Sequence, residues 1–68
     1  MLKNHNHNLI QQLSEDLDSL WRYEQYTTDA AACSHCTELW KKLRELDEEK
    51  VKLLRDEITR HVNEGVFE

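Results

Sequence analysis

The chain has no proline and one glycine, Gly65, close to its end. With so few turn formers, a many-turned β-sandwich or barrel is excluded. No glycine precedes position 65, so neither a P-loop nor a dinucleotide-binding loop can be built. Long apolar runs are missing as well. None approaches the roughly 18 residues of a membrane span, and no membrane association is expected. The polar opening from Met1 to Asn8 is not that of a signal peptide, which makes a cytoplasmic location the expectation. Cysteine is scarce: Cys33 and Cys36 are the only two. In a reducing compartment they are expected as thiols or metal ligands rather than as a structural disulfide.

Excess positive charge is also lacking. Nine basic residues stand against fourteen acidic ones, a net charge of −5 with histidine neutral. Both halves of the chain share the deficit, so general attraction to nucleic acid or anionic lipid is not expected. One local basic stripe, Lys41, Lys42, Arg44 and Arg55, keeps a minor reading open: a small dimeric hairpin regulator that binds protein or RNA.

What is present is helical. The 68 residues, 38% apolar and 34% charged, make one domain at most. Residues 1–8 are polar, carry His5 and His7, and are expected as a fraying tail. From about Leu9 to Ala32, the positions Ile10, Leu13, Leu17, Leu20, Thr27/Thr28 and Ala31 recur at three- and four-residue steps, the helical period. A second helix is expected from about Cys36 to Asn63, with Leu39, Trp40, Leu43, Leu46, Leu54, Ile58 and Val62 on its apolar side. Pairs four residues apart, Glu38–Lys42, Glu48–Lys52 and Asp56–Arg60, lace its outer face. Gly65 is the stop signal, with 64–68 as a tail. The turn is placed at about 32–36, with Ser34 as the best helix-capping candidate.

The predicted fold is therefore all-α, a two-helix antiparallel hairpin. So small a chain carries too few apolar side chains to offset its own ordering, and association is the natural remedy. The expectation is a homodimer forming a four-helix bundle, with Trp21, Trp40, Leu20, Leu43 and Leu54 as candidate interface residues.

Charged residues fall inside these stripes. The ladder 13-17-20-24-27-31 puts Glu24 where a leucine is expected. On the second helix Asp47 takes the middle of the apolar face, Lys50 lies beside it, and Glu57 and His61 follow further along. Buried charges must pair, bind metal or open onto water. Counted from Ser34, Glu24 lies roughly 15 Å and Asp47 roughly 20 Å along the hairpin, so Glu24, Asp47 and Lys50 are expected in one polar layer.

The run Leu20-Trp21-Arg22-Tyr23-Glu24, followed by Leu39, Leu43, Leu46, Asp47, Lys50, Leu54 and Ile58, resembles a ferritin-like, rubrerythrin-type helical hairpin. In that family two hairpins complete a di-iron bundle, the first helix giving a glutamate and the second Glu-x-x-His. The resemblance puts Glu24 at the first ligand and Asp47 and Lys50 on the Glu-x-x-His positions. Moving the frame to Glu49 puts Lys52 in the histidine place. A lysine ammonium has no lone pair to give a metal. The resemblance thus implies a hairpin without ferroxidase chemistry, in which an ion-pair network of Glu24, Asp47 and Lys50 replaces the di-iron site. Beside it stands the plainer reading, in which such pairs only fix register or Glu24 is a surface residue.

No cofactor is expected. The alternative is an iron- or zinc-binding protein using the carboxylates with Glu57 and His61, or the pair in Cys33-Ser34-His35-Cys36. Two cysteines are half of a structural zinc site, so His35, His5, His7 or a second subunit must complete it. Plain thiols near a turn, or a redox pair, are the other readings of this motif. His61 is also explained as a helix C-terminal residue favoured by the helix dipole. The serines have no histidine–carboxylate partners at helical spacing, so nucleophilic catalysis finds no support.

Overall fold

Leucine recurs through both halves of the chain, joined in the second by glutamate and lysine, and with no proline inside either run nothing interrupts the helical ladder. The computed structural model describes residues 3–67 and consists of two antiparallel helices, α1 (Asn4–Asp29) and α2 (Ser34–Asn63), in a hairpin of 49 × 18 × 12 Å. The all-α hairpin expected from the sequence is present. Its first helix begins earlier than expected. Residues 4–8, read as part of a tail, form the opening turns of α1, and Asn6 is buried. The polar character of this segment is what the far end of the hairpin uses, as described below.

The reversal occupies residues 30–33, two residues before the expected position, and needs no glycine. Among the described residues no side-chain-bearing residue has a positive φ. Ala30 ends α1 with its N–H on the Tyr26 carbonyl at 3.0 Å, and the Cys33 N–H returns to Ala30 O at 2.8 Å. Cys33, in extended backbone, then opens α2 as its cap, its sulfur accepting the Cys36 N–H at 3.3 Å. The cap is thus Cys33, and Ser34 is the first helical residue. At the other end the Val66 N–H reaches His61 O at 3.0 Å and the Gly65 N–H reaches Val62 O at 3.1 Å, with Gly65 at φ +71°. This is a Schellman stop, and it requires the left-handed conformation that glycine supplies without strain.

The helices meet along a seam that differs from the expected one by a single position. On α1 the inward residues are Asn6, Leu9, Leu13, Asp16, Leu20, Tyr23, Thr27 and Ala30, whereas Ile10, Leu17, Glu24 and Ala31 are exposed. Both ladders run in three- and four-residue steps and share Leu13, Leu20 and Thr27. Each ladder carries five apolar residues, so their count does not choose between them. The chain folds on the ladder through Asp16 and Asn6, whose polar partners lie on α2. On α2 the inward set is Thr37, Trp40, Leu43, Asp47, Val51, Leu54, Ile58 and His61, and Leu39, Leu46 and Val62 face outward.

The seam is thin. Among the described residues no apolar side chain is fully buried, and the three buried residues, Asn6, Asp16 and His61, are all polar. Half-buried leucines each contribute less than the roughly 1.5–3 kcal/mol of a fully buried one. Near the turn, Tyr26 and Trp40 pack with ring centroids 4.8 Å apart, and Tyr23 lies 5.9 Å from Trp40. Among the described residues no helix is long and apolar enough to cross a membrane.

Candidate functional site: the polar seam and the cysteine turn

Two polar layers cross the seam. In the first, Lys50 Nζ lies 3.1 Å from Asp16 Oδ1 and 3.5 Å from Asp47 Oδ1. Gln12 Nε2 donates to Asp16 Oδ1 at 3.0 Å, and the Tyr23 hydroxyl donates to Asp47 Oδ2 at 2.6 Å. The Asp16 side chain is 4% exposed, and its Oδ2 is buried with no hydrogen-bond partner among the described residues. A carboxylate so placed is tolerable only beside a cation, which Lys50 supplies from the half-exposed rim. The chemistry registers on the two groups that face these carboxylates. Hydrogen bonding to Asp16 and its charge hold the Lys50 ammonium above its ordinary value. The bond to Asp47 pushes the Tyr23 phenol up to about 12.

The second layer closes the open end of the hairpin. Asn6 Nδ2 donates to the Val66 carbonyl at 2.9 Å, which turns Asn6 Oδ1 toward His61 Nδ1, 2.7 Å away. His61 Nε2 lies 3.1 Å from Glu57 Oε1, and the His5 ring sits 5.1 Å from the His61 ring. Both nitrogens of His61 thus face oxygens of neighbouring side chains. Hydrogen bonds from Arg60 come first among the causes that hold the Glu57 carboxyl below its usual range.

Asp47 and Lys50 are therefore in contact, as the sequence suggests, but on α1 Lys50 meets Asp16 and Asp47 meets Tyr23, rather than Glu24. Glu24 is exposed and forms no side-chain hydrogen bond or ion pair among the described residues. It lines an open cleft with Leu17, Leu20, Trp21, Arg44 and Glu48. Of the candidate interface residues, Trp21 stands 89% exposed, while Leu20, Trp40, Leu43 and Leu54 are half-buried in the hairpin's own seam. His61 carries more than a dipole interaction at the helix end, since it is buried among Asn6 and Glu57. Sequence reasoning missed Asp16, Asn6 and Gln12, and took in Tyr23 only as part of the run beside Glu24. The signal that finds them is complementarity across the hairpin, an acid and an amide on one helix at the depths of a lysine and a histidine on the other.

The candidate metal ligands divide between the two ends. Cys33, His35 and Cys36 sit at the turn, and Glu57 and His61 lie more than 20 residues further along α2, a separation of over roughly 30 Å. Among the described residues no group of three or more His, Cys, Asp or Glu side chains is placed to hold a metal ion. The two thiols are themselves unlike. Cys33 is half-buried and Cys36 exposed. A hydrogen bond from the Cys36 thiol, with others from the Cys36 and His35 amides, lowers the Cys33 pKa below the ordinary thiol value. The Cys36 thiol is pushed up by the same contact.

Comparison with family models, with curated proteins and with solved structures finds no match to this chain.

Proposed function

We propose that this chain is a small non-catalytic helical hairpin with a structural or protein-interaction role in the cytoplasm, exercised as a homodimer that forms a four-helix bundle. The observation that carries the reading is the missing core. No apolar side chain is fully buried among the described residues, while Ile10, Leu17, Trp21, Leu39, Leu46, Leu53, Val62 and Val66 remain exposed. Exposed apolar stripes of this extent mark association surfaces.

The exposed leucines of α2 say which occupant fits. Leu39, Leu46 and Leu53 recur every seven residues and are 53%, 45% and 61% exposed. They are about 200° round the helix from Arg44 and Glu48, which share the edge with Trp21. The stripe is symmetric about Leu46. An antiparallel copy therefore sets Leu46 on its own counterpart and Leu39 against Leu53 of the partner subunit, as a two-fold contact requires. In the same register Lys42 falls beside the partner's Glu49 on the outer flank, twice by symmetry. A second copy thus matches the surface in shape and in charge.

This reading keeps the ferritin-like pattern as a proposal about architecture, with the ion-pair layer of Asp47 and Lys50 lying where that family holds metal. Native mass spectrometry of the full chain tests it. A metal-free dimer is expected, with Leu46→Glu giving a monomer of unchanged helix content. A wild-type monomer at high concentration overturns the dimer, and stoichiometric iron or zinc overturns the non-metal reading.

A further inference from the structure

The seam and the apolar edges leave one chemically reactive feature unused, the two thiols at the turn. Their placement follows from the reversal itself. Cys33 must be extended to end the turn, and its backbone is then fixed by Thr37. The Thr37 N–H and hydroxyl both reach the Cys33 carbonyl, at 3.0 and 2.6 Å, and the hydroxyl also lies 3.4 Å from Ala30 O. Held in this way, the Cys33 sulfur sits over the first turn of α2, 3.3 Å from the Cys36 amide. The Cys36 side chain belongs to that same first turn of α2, three residues on from Cys33. Two sulfur nucleophiles thus share one helical turn at the reversal end of the hairpin. Their surroundings differ: one is aimed at backbone donors, and the other is exposed and served by none.

We propose that Cys33 and Cys36 form a redox-active dithiol that exchanges with low-molecular-weight disulfides, Cys33 being the attacking sulfur and Cys36 the resolving one. The donors around Cys33 favour its thiolate over that of Cys36, and the thiolate is the nucleophile. In the first step the Cys33 thiolate attacks one sulfur of a small disulfide. A bond forms between Cys33 and that sulfur, the original S–S bond breaks, and one small thiolate leaves and takes up a proton from solvent, which had received the Cys33 proton. In the second step Cys36 loses its proton to solvent and attacks the Cys33 sulfur. The intrachain disulfide forms and the second small thiol is released. The dithiol is oxidised by two electrons and the small disulfide is reduced to two thiols. The helix start that lowers the Cys33 pKa also places Cys36 for ring closure, so no rearrangement of α1 or of the polar seam is needed.

Oxidised glutathione is the probe, applied to the full chain and to Cys33→Ser and Cys36→Ser. Serine at position 33 can still cap α2, and circular dichroism checks that both variants keep their helix content. The wild type is expected to lose both thiols and two hydrogens in mass, with no glutathione retained. Cys36→Ser is expected to stop at a glutathione adduct on Cys33. It should form that adduct at least ten-fold faster at neutral pH than Cys33→Ser reacts through Cys36. The rate profile of Cys36→Ser against pH should have its midpoint below that of the same variant in denaturant. Equal rates in the two variants overturn the assignment of roles, and a wild type that retains glutathione on either cysteine overturns the dithiol. Neither outcome bears on dimerisation, which is read from subunit mass alone.

Discussion

At mid-length the seam is crossed by Asp16, Lys50 and Asp47; at the open end it is crossed by Asn6, His61 and Glu57. Each layer buries a polar residue of α1, 3% exposed for Asp16 and 2% for Asn6, and each is answered from α2 by a nitrogen-bearing side chain. The middle layer depends on charge, because a carboxylate away from water needs a cation. The end layer depends on directional hydrogen bonds, with an amide that donates to one group and accepts from another. The difference suits their positions. An ion pair has no strict angular demand and tolerates the mobile lysine of a half-exposed rim. An amide–imidazole contact fixes the last turns of both helices, where fraying is otherwise expected. Polar layers of this kind set register in helical bundles at some expense of stability.

The largest effect should come from taking the cation out of the middle layer. Lys50→Met leaves Asp16 buried with only Gln12 as a donor, and the thermal midpoint should fall further than in any other single variant considered below. Combining it with Asp16→Leu should recover most of the loss, since an apolar pair of similar volume removes the unpaired charge. Thermal melts of the two singles and the double form a cycle that measures the coupling. A Lys50→Met variant that melts like the wild type means that Asp16 is stabilised by something other than Lys50.

Asn6→Ala comes next. It removes the bonds to His61 and to the Val66 carbonyl and leaves Nδ1 of the buried His61 without that partner, at about 2 kcal/mol. The comparison becomes sharper in amide exchange. Protection should drop in the first turns of α1 and the last turns of α2 and stay unchanged around Tyr23 and Asp47. A uniform drop along the hairpin implies that the two layers act as one cooperative unit.

The layers should also part company with pH. Folding raises the Tyr23 pKa from 10.0 to about 12 and raises that of Lys50. Groups whose pKa is raised on folding contribute fully below their unfolded value and lose that contribution as pH climbs through the folded one. The middle layer is therefore alkali-labile, weakening above pH about 10. Glu57 is lowered on folding, chiefly by Arg60. Its contribution is present above the ordinary carboxylate range and is lost as pH falls, so it adds an acid-labile element to the end layer. Tyr23→Phe should cost about 1 kcal/mol at neutral pH and flatten the alkaline limb of a plot of melting temperature against pH. Glu57→Gln should flatten only the acid limb.

How much of this was legible in the sequence depends on what decides each feature. The helices were, because three- and four-residue steps through leucine leave few alternatives. The hairpin was as well, although the turn begins two residues earlier than the sequence suggests, since Ala30-Ala31-Ala32 are good helix formers and Cys33 is not a usual cap. The contact of Asp47 with Lys50 was legible because both lie within one turn of one helix. The α1 partner was not. Two ladders one position apart share Leu13, Leu20 and Thr27, and each carries five apolar residues, so apolar content does not choose between them. The folded chain takes the ladder in which Asp16 meets Lys50 and Asn6 meets His61, and that choice is visible only when both helices are read together.

The smallest expected effect tests that choice most directly. Glu24 is next to Tyr23 in sequence, yet Tyr23 points along the seam to Asp47 and Glu24 points to the open cleft beside Trp21, Arg44 and Glu48. One residue is 100° of helix, enough to carry a side chain from the seam to the surface. If the seam runs through Tyr23, Glu24→Ala removes only a solvated carboxylate and stability should change by less than about 0.5 kcal/mol. If the seam ran through Glu24, the same substitution would strip Lys50 of its α1 partner and resemble Lys50→Met. Thermal melts of the two variants side by side separate these cases, and their ratio reports which face of α1 the chain has chosen to bury.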